Sequence, residues 1–469
     1  MEKFFKLKEN GTTVRTEFFA ALTTFFAMVY ILIVNANMFA NPFGDGTNVL
    51  GVSYGAIYIA TAISAVVGTV LVGLLANLPL AMASGMGLNA FFVYTMCVGF
   101  GLSYANALVL VLIDGIVFIL LTITGLRQMI LHAIPKTVRK AIPAGIGLFI
   151  AFLGLQNAGI VIADSSTGVT LGSFNLLNLT WGDIMPMVVT LLAFFAIAIL
   201  AKKNVRGSVF IGMLIGMALY YLLGVTIPGF YENLNISVSS PFAAFSDFGT
   251  QAFAKVFTEG FDFSAYSAVH GSANLILVIV TSSLAFMLVD MFDTLGTLHG
   301  ACSRGGLVDE NGEVLNLNSA LLSDAIATTT GAICGTSTVT TFVESTSGIA
   351  EGGRTGLTSV FVGLFFLIAM FLSPIAQLIP GCATAAALIY VGVLMMQSIG
   401  EIEWGKLDVA VPAFMTIAFM PFTYNISYGI AFGIFGFVAI SAFTGRLKDV
   451  KIATWVIAVL FILMLLLTH

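Results

Sequence analysis

The chain has 469 residues, 59% hydrophobic and only 9% charged, with a formal net charge of -5 and a mean hydropathy of +1.04. Soluble domains carry about 25% charged residues, so no water-soluble fold of this length hides so much apolar surface, and the solvent must be lipid. The small net charge says nothing about nucleic acid, no basic run is dense enough to suggest it, and no nucleic-acid partner is expected. Cys97, Cys302, Cys334 and Cys382 are scattered without metal-ligand spacing and read as small packing residues.

Met1 to Glu17 is polar and mixed in charge. The run from Phe18 to Met38 is too long for a signal-peptide core and lacks a small-residue cleavage site, so it reads as a retained span. Further spans are predicted at 53–76, 104–124, 140–157, 182–201, 207–224, 273–297, 356–373, 381–399, 408–422 and 426–444. Stretches 78–100, 317–333 and 335–353 are apolar or rich in small residues but broken by Gly, Ser and Thr; counting them gives fourteen segments. The last run, Ile452 to Leu467, is short, and both spanning and lying flat are open to it.

Lys and Arg test this threading, because cytoplasmic loops collect them. With a cytoplasmic N-terminus, the basic groups around Lys3, Arg15, Arg127, Arg139, Lys202, Arg206, Arg304, Arg354, Lys406 and Arg446 all fall inside. Of the 18 basic residues only Lys255 falls outside, in the long loop 225–271. That extracellular connecting loop divides the chain into two seven-span repeats, 18–224 and 272–444, flanked by a cytoplasmic N-terminus, 1–17, and a C-terminal segment, 445–469. An odd number of spans inverts the second half relative to the first. A faint echo agrees: Thr24 to Asn35 resembles Ser282 to Asp293.

The broken spans occupy the same place in each half. Thr336 to Phe342 alternates with β-branched residues and reads as a short extended piece, with a helix starting near Glu344; Ala81 to Gly85 does the same in the first half. Non-helical backbone is tolerated at bilayer depth only where protein buries it or water reaches it. Acids inside spans mark pathways and proton relays, and five lie there: Asp114, Asp290, Asp293, Asp324 and Glu344, with no Lys or Arg at comparable depth. Carboxylates in an apolar surrounding take up protons readily, and ionised ones accept hydrogen bonds through two oxygens. Asp293 and Glu344 rank first, then Asp290, three residues from Asp293 and near one helical face. Structural bonding to backbone competes for Asp324 and is favoured for Asp114. None of the histidines is mid-span: His132, His270 and His469 read as loop or terminal residues, and His299 as a surface residue at a helix end.

Phe292 to Thr297, reading FDTLGT, and Thr340 to Gly348, reading TTFVESTSG, resemble the nucleobase permeases of the nucleobase–cation symporter-2 superfamily. The likeness is strongest to the adenine, guanine and hypoxanthine branch. Thr23 to Asn35, Ala81 to Asn89 and Ser337 to Gly356 extend it over essentially the whole chain. The resemblance implies an all-α polytopic membrane protein of fourteen spans in a 7+7 inverted repeat, with short strands in spans 3 and 10. Spans 1–4 and 8–11 would form a core domain, and spans 5–7 and 12–14 a gate. Asp293 and Glu344 match the positions that hold the base, Gly85 and Met86 the span 3 contact, and Thr297 a polar position one turn after the first acid. Phe342 and Val343 complete the substrate-binding set. Relatives in the uracil branch have a glutamate and a histidine where this chain has Asp293 and Thr297. The shorter acid leaves room for a two-ring base, and the missing histidine puts a shared proton relay in question.

The expected activity is proton-coupled uptake of a purine base through the cell membrane by alternating access. Asp293, Glu344, Asp290 and Asp324 are the candidate proton carriers. No enzyme activity, cofactor or metal is expected; H+ is the coupling ion, with Na+ left open. The expected partners are the base, the lipid bilayer and a second copy of the chain as a homodimer. The competing readings are a same-fold carrier of another small solute or an anion, a passive channel, and an intramembrane aspartyl protease, for which Asp290 and Asp293 on one helix are poorly placed.

Overall fold

A computed structural model describes residues 2–124, 134–177, 179–233, 240–309 and 313–468. Arg127, His132 and His469 lie outside the described residues. Nine helical stretches among the described residues are long and apolar enough to cross a membrane, and four more are shorter but apolar.

Helix α1, Val14–Met28, begins four residues before the apolar run, because Thr13 caps it and Glu17 falls inside it. A single turn residue, Val29, separates it from α2, Tyr30–Ala40. Then come α3, Tyr54–Leu71; strand β1, Met82–Ser84; and α4, Met86–Ala90, which continues as a π-helix to Gly99. Helices α5, Tyr104–Thr124, α6, Lys136–Asn157, α7, Trp181–Lys202, and α8, Ser208–Gly224, complete the first half. The second half runs α9, Ser272–Gly305; α10, Leu317–Cys334; strand β4, Val339–Thr341; and α11, Ser345–Ala350. It ends with α12, Gly356–Ala369, α13, Gly381–Met395, α14, Leu407–Phe422, and α15, Ile426–Phe443. Helix α16, Ile452–Thr468, follows the shorter apolar run and packs on α9 and α15.

Two expectations need correction, and one feature was not expected. Residues 317–333, read as broken, form the regular helix α10. Its hydroxyls bond backward within the helix, Ser323 to the Ser319 carbonyl at 2.8 Å, Thr329 to Ala325 at 2.9 Å and Thr330 to Ile326 at 2.8 Å, so they do not disrupt it. The connecting stretch 225–271, read as a loop, carries short helices at Pro241–Asp247, Lys255–Thr258 and Ser264–His270. It is tied down by Ser53 Oγ donating to Asp247 Oδ2 at 2.8 Å and by the Ala254 N–H donating to the Ile333 carbonyl at 2.8 Å. The loop after α6 forms an unforeseen hairpin, β2, Val161–Asp164, with β3, Gly168–Leu171.

Packing sorts the helices into two groups. Helix α3 packs on α10 and α12, and α5 on α10; α6 packs on α13 and α14, α7 on α8 and α13, and α14 on α15. Small residues allow close approach: a Cβ on Gly73 would stand 2.6 Å from the Gly356 carbonyl, and one on Gly147 2.8 Å from that of Gly392. The first turn of α12 is capped from α1. Fully buried Glu17 accepts from the Arg354 N–H at 2.9 Å, the Thr358 N–H at 3.1 Å and the Thr358 hydroxyl at 2.5 Å.

Strands β1 and β4 pair antiparallel, Met82 with Thr341, Ala83 with Thr340 and Ser84 with Val339. A two-stranded ribbon has two outer edges, whose buried backbone groups need partners. Thr69 on α3 serves one edge, its hydroxyl accepting from the Met82 N–H and donating to the Met82 carbonyl, both at 2.9 Å. Thr328 on α10 serves the other in the same way through Val339, both at 3.2 Å. One helix from each half thus performs one task, as an inverted repeat requires. Thr69→Val keeps the shape and removes both bonds, so it is expected to cost about 1–3 kcal/mol, read as a lower unfolding temperature of the detergent-purified protein. Thr328→Val is expected to match it.

Candidate functional site

Each short strand leads directly into a half-helix. Gly85 stands at the N-cap of α4 and Glu344 at the N-cap of α11, where the sequence placed them. The Gly85 N–H donates to the Thr338 carbonyl at 3.1 Å, and the Phe342 N–H to the Ala81 carbonyl at 2.9 Å, extending the ribbon at both ends. Beneath it, Asn35 Nδ2 donates to Thr61 Oγ1 at 2.7 Å and to Thr336 Oγ1 at 3.0 Å, while the Ser337 hydroxyl donates to Asn89 Oδ1. Asn35, the echo of Asp293, therefore binds a threonine just before β4, as Asp293 binds one within it.

Where the strands cross, a cavity of about 110 Å³ opens between α2, α9, α13 and the two half-helices. All seven residues expected to touch substrate line it: Gly85, Met86, Asp293, Thr297, Phe342, Val343 and Glu344. Pockets for drug-sized ligands run to about 300–1,000 Å³, so this one suits a small solute. Thr340 Oγ1 donates to Asp293 Oδ2 at 3.3 Å, and the Tyr30 hydroxyl to Glu344 Oε1 at 2.8 Å. The Thr297 hydroxyl donates to the Asp293 carbonyl, one turn back on its own helix.

The other acids lie elsewhere. Asp290, on α9, is fully buried and does not line the cavity. Asp324, on α10, accepts from Thr294 Oγ1 at 2.9 Å and faces Asp114 of α5 closely enough for their charges to interact. His299 is exposed near the end of α9, and His270 ends a short exposed helix. Among the described residues, no group of three His, Cys, Asp or Glu side chains could hold a metal ion.

Several cavity residues carried no sequence assignment. Tyr30 and Thr340 sat inside quoted motifs, so a signal existed; Val391 and Met395 of α13 look like any apolar helix face. Arg139, expected only as a cytoplasmic loop charge, has its guanidinium 5.8 Å from the ring centroid of Phe292, next to Asp293, so a cation from α6 approaches the acidic region after all. Glu344 borders a second, larger cavity of about 530 Å³, lined also by Asn204, Ser208, Thr346, Ser347 and Tyr390. Arg206 and Glu351 pair beside it, joining the α7–α8 turn to the end of α11.

A helical, polytopic membrane protein with a small cavity between two broken spans is the class these features define. Residues 15–432 match the model of the permease family, Xan_ur_permease, and the chain belongs to that family, the nucleobase–cation symporter-2 family. It is 40% identical over 463 residues to the adenine permease AdeP of Escherichia coli (strain K12), covering 99% of this chain and 95% of that one. It is 38% identical over 473 residues to the guanine/hypoxanthine permease PbuO of Bacillus subtilis (strain 168), covering 98% and 99%. The transmembrane domain of the cyanobacterial bicarbonate transporter BicA has a TM-score of 0.56 at 17% identity, over 94% of this chain and 96% of that one. The murine Slc26a9 anion transporter, in an inward-facing state, has a TM-score of 0.61 at 13% identity, over 92% and 68%. At those identities the likeness is one of fold.

Proposed function

We propose that this permease carries a purine nucleobase, adenine, guanine or hypoxanthine, into the cell by proton-coupled alternating access, as a transporter and not an enzyme. The observation that carries the reading is the meeting of Asp293 and Glu344, from two different segments, in one 110 Å³ cavity. Two carboxylates without a cation between them suit a neutral solute bearing N–H donors and disfavour an anion. Relatives named as adenine and as guanine/hypoxanthine permeases support the purine class. An aspartyl protease would need two facing acids, whereas Asp290 stays outside the cavity that Asp293 lines.

In this reading Asp293 and Glu344 accept hydrogen bonds from ring N–H or exocyclic amino groups, with Met86, Phe342 and Val343 against the ring. Gly85 gives close approach, and Thr297 shapes the rim. One of Asp293, Glu344, Asp290 and Asp324 takes up a proton outside and releases it inside. The chain crosses the cell membrane fourteen times with its N-terminus in the cytoplasm. Spans 1–4 and 8–11 move as a core against a gate of spans 5–7 and 12–14, in keeping with the two packing groups. The larger cavity beside Glu344 adjoins the turn holding Lys202, Lys203 and Arg206, the side that charge assigns to the cytoplasm, and serves as the inner exit.

Asp293→Ala and Glu344→Ala are each expected to lower uptake of radiolabelled hypoxanthine, adenine or guanine by about 100-fold, the loss of one buried charged hydrogen bond, with membrane insertion intact. Wild-type uptake by both variants would refute the site. Uptake against a gradient should collapse with a protonophore and survive removal of Na+; loss on Na+ removal would reassign the coupling ion, and indifference to both would indicate a passive channel.

A further inference from the structure

Each acid in the cavity accepts a hydrogen bond from a hydroxyl on the cavity wall. Tyr30 bonds one oxygen of Glu344 at 2.8 Å, and Thr340 bonds one oxygen of Asp293 at 3.3 Å. Among the described residues, no other residue bonds the second oxygen of either acid, Glu344's own backbone N–H aside. The two hydroxyls come from rigid places. Tyr30 is almost fully buried at the start of α2, and Thr340 lies in β4, paired with Ala83. A β-branched side chain has a stiff first torsion, so strand pairing fixes the Thr340 hydroxyl as well as its backbone. Gly85 leaves it room: a Cβ there would stand 2.9 Å from Thr340 Oγ1.

A carboxylate alone is a poor ruler, because its terminal torsion is broad. A hydroxyl bonded to one oxygen removes that freedom and aims the other. We infer that Tyr30 and Thr340 are positioning residues for substrate selection: each fixes one carboxylate, so that the cavity offers two single acceptors at a set separation. A planar base with N–H donors on two edges matches that pattern. A solute that needs both oxygens of one acid competes with the hydroxyl. This inference rests on the site proposed above, and the hydroxyls act through the acids, not on the base.

The test is transport and binding of labelled hypoxanthine, with adenine and guanine as competitors, in Tyr30→Phe and Thr340→Val. Each is expected to raise KM and the dissociation constant by about tenfold, with kcat changed less, the loss of one hydrogen bond to a charged group. The order of competition should shift, and Thr340→Ser, which keeps the hydroxyl but not the stiff torsion, should recover most of the lost affinity. Binding is measured per folded molecule of purified protein, and either variant suffices, since each hydroxyl serves its own acid. KM within about twofold of wild type and an unchanged competition order, with only abundance reduced, would show a purely structural role and overturn the inference. Asp293→Ala and Glu344→Ala run alongside separate the two failures. If they too keep wild-type binding, the proposed site falls; if they lose it while the hydroxyl variants do not, only this inference falls.

Discussion

Three residue pairs between β1 and β4 hold the molecule's plan together. Each strand interrupts a span, and an interrupted span leaves backbone N–H and carbonyl groups that the bilayer core cannot solvate, at several kcal/mol apiece. Neither half can satisfy its own break. Each supplies the other's missing partner, and Thr69 and Thr328 close the outer edges. The sheet is therefore a backbone-to-backbone joint between the two halves, alongside side-chain-to-backbone bonds such as those Glu17 accepts from Arg354 and Thr358 and the one Ser359 donates to Leu78.

The position of the acids follows from that joint. Glu344 sits where β4 gives way to α11, and Asp293 stands on α9 beside Thr340 of the same strand. A ribbon that fixes Thr340 thus also fixes where Asp293 points. The rest of the cavity wall comes from elements outside the two strand-broken spans: Tyr30 from α2, Val391 and Met395 from α13. One wall belongs to the ribbon and its half-helices and the other to a helix of the second packing group, so a change in how the groups meet alters the cavity without disturbing the carboxylates.

Much of this was legible in the sequence because lipid makes polarity conspicuous. The β-branched alternation before Phe342, an acid at Glu344 and a second at Asp293 stand out against an apolar background, and all seven expected contact residues line one cavity. The same contrast misled at 317–333, where Ser and Thr suggested a break. A hydroxyl bonded to the carbonyl one turn back is invisible in sequence and costs a helix little. Val391 and Met395 gave no signal because a cavity wall and a packed helix face want the same side chains. Arg139 was counted only as a loop charge, since nothing in one dimension says that its guanidinium reaches the Phe292 ring. Tyr30 was visible only as part of a motif, its partner lying 314 positions away.

The cap that Glu17 places on α12 bears on the molecule's history. Its hydroxyl and amide partner, Thr358, lies 341 residues downstream. At synthesis rates of about 5–20 residues per second, roughly 20–70 seconds separate their arrival in the membrane. Throughout that interval the nascent first half carries an acid that has not met its helix, and for most of it a strand, β1, without its neighbour. The half-made permease is thus a distinct species with open valences, which only the second half supplies.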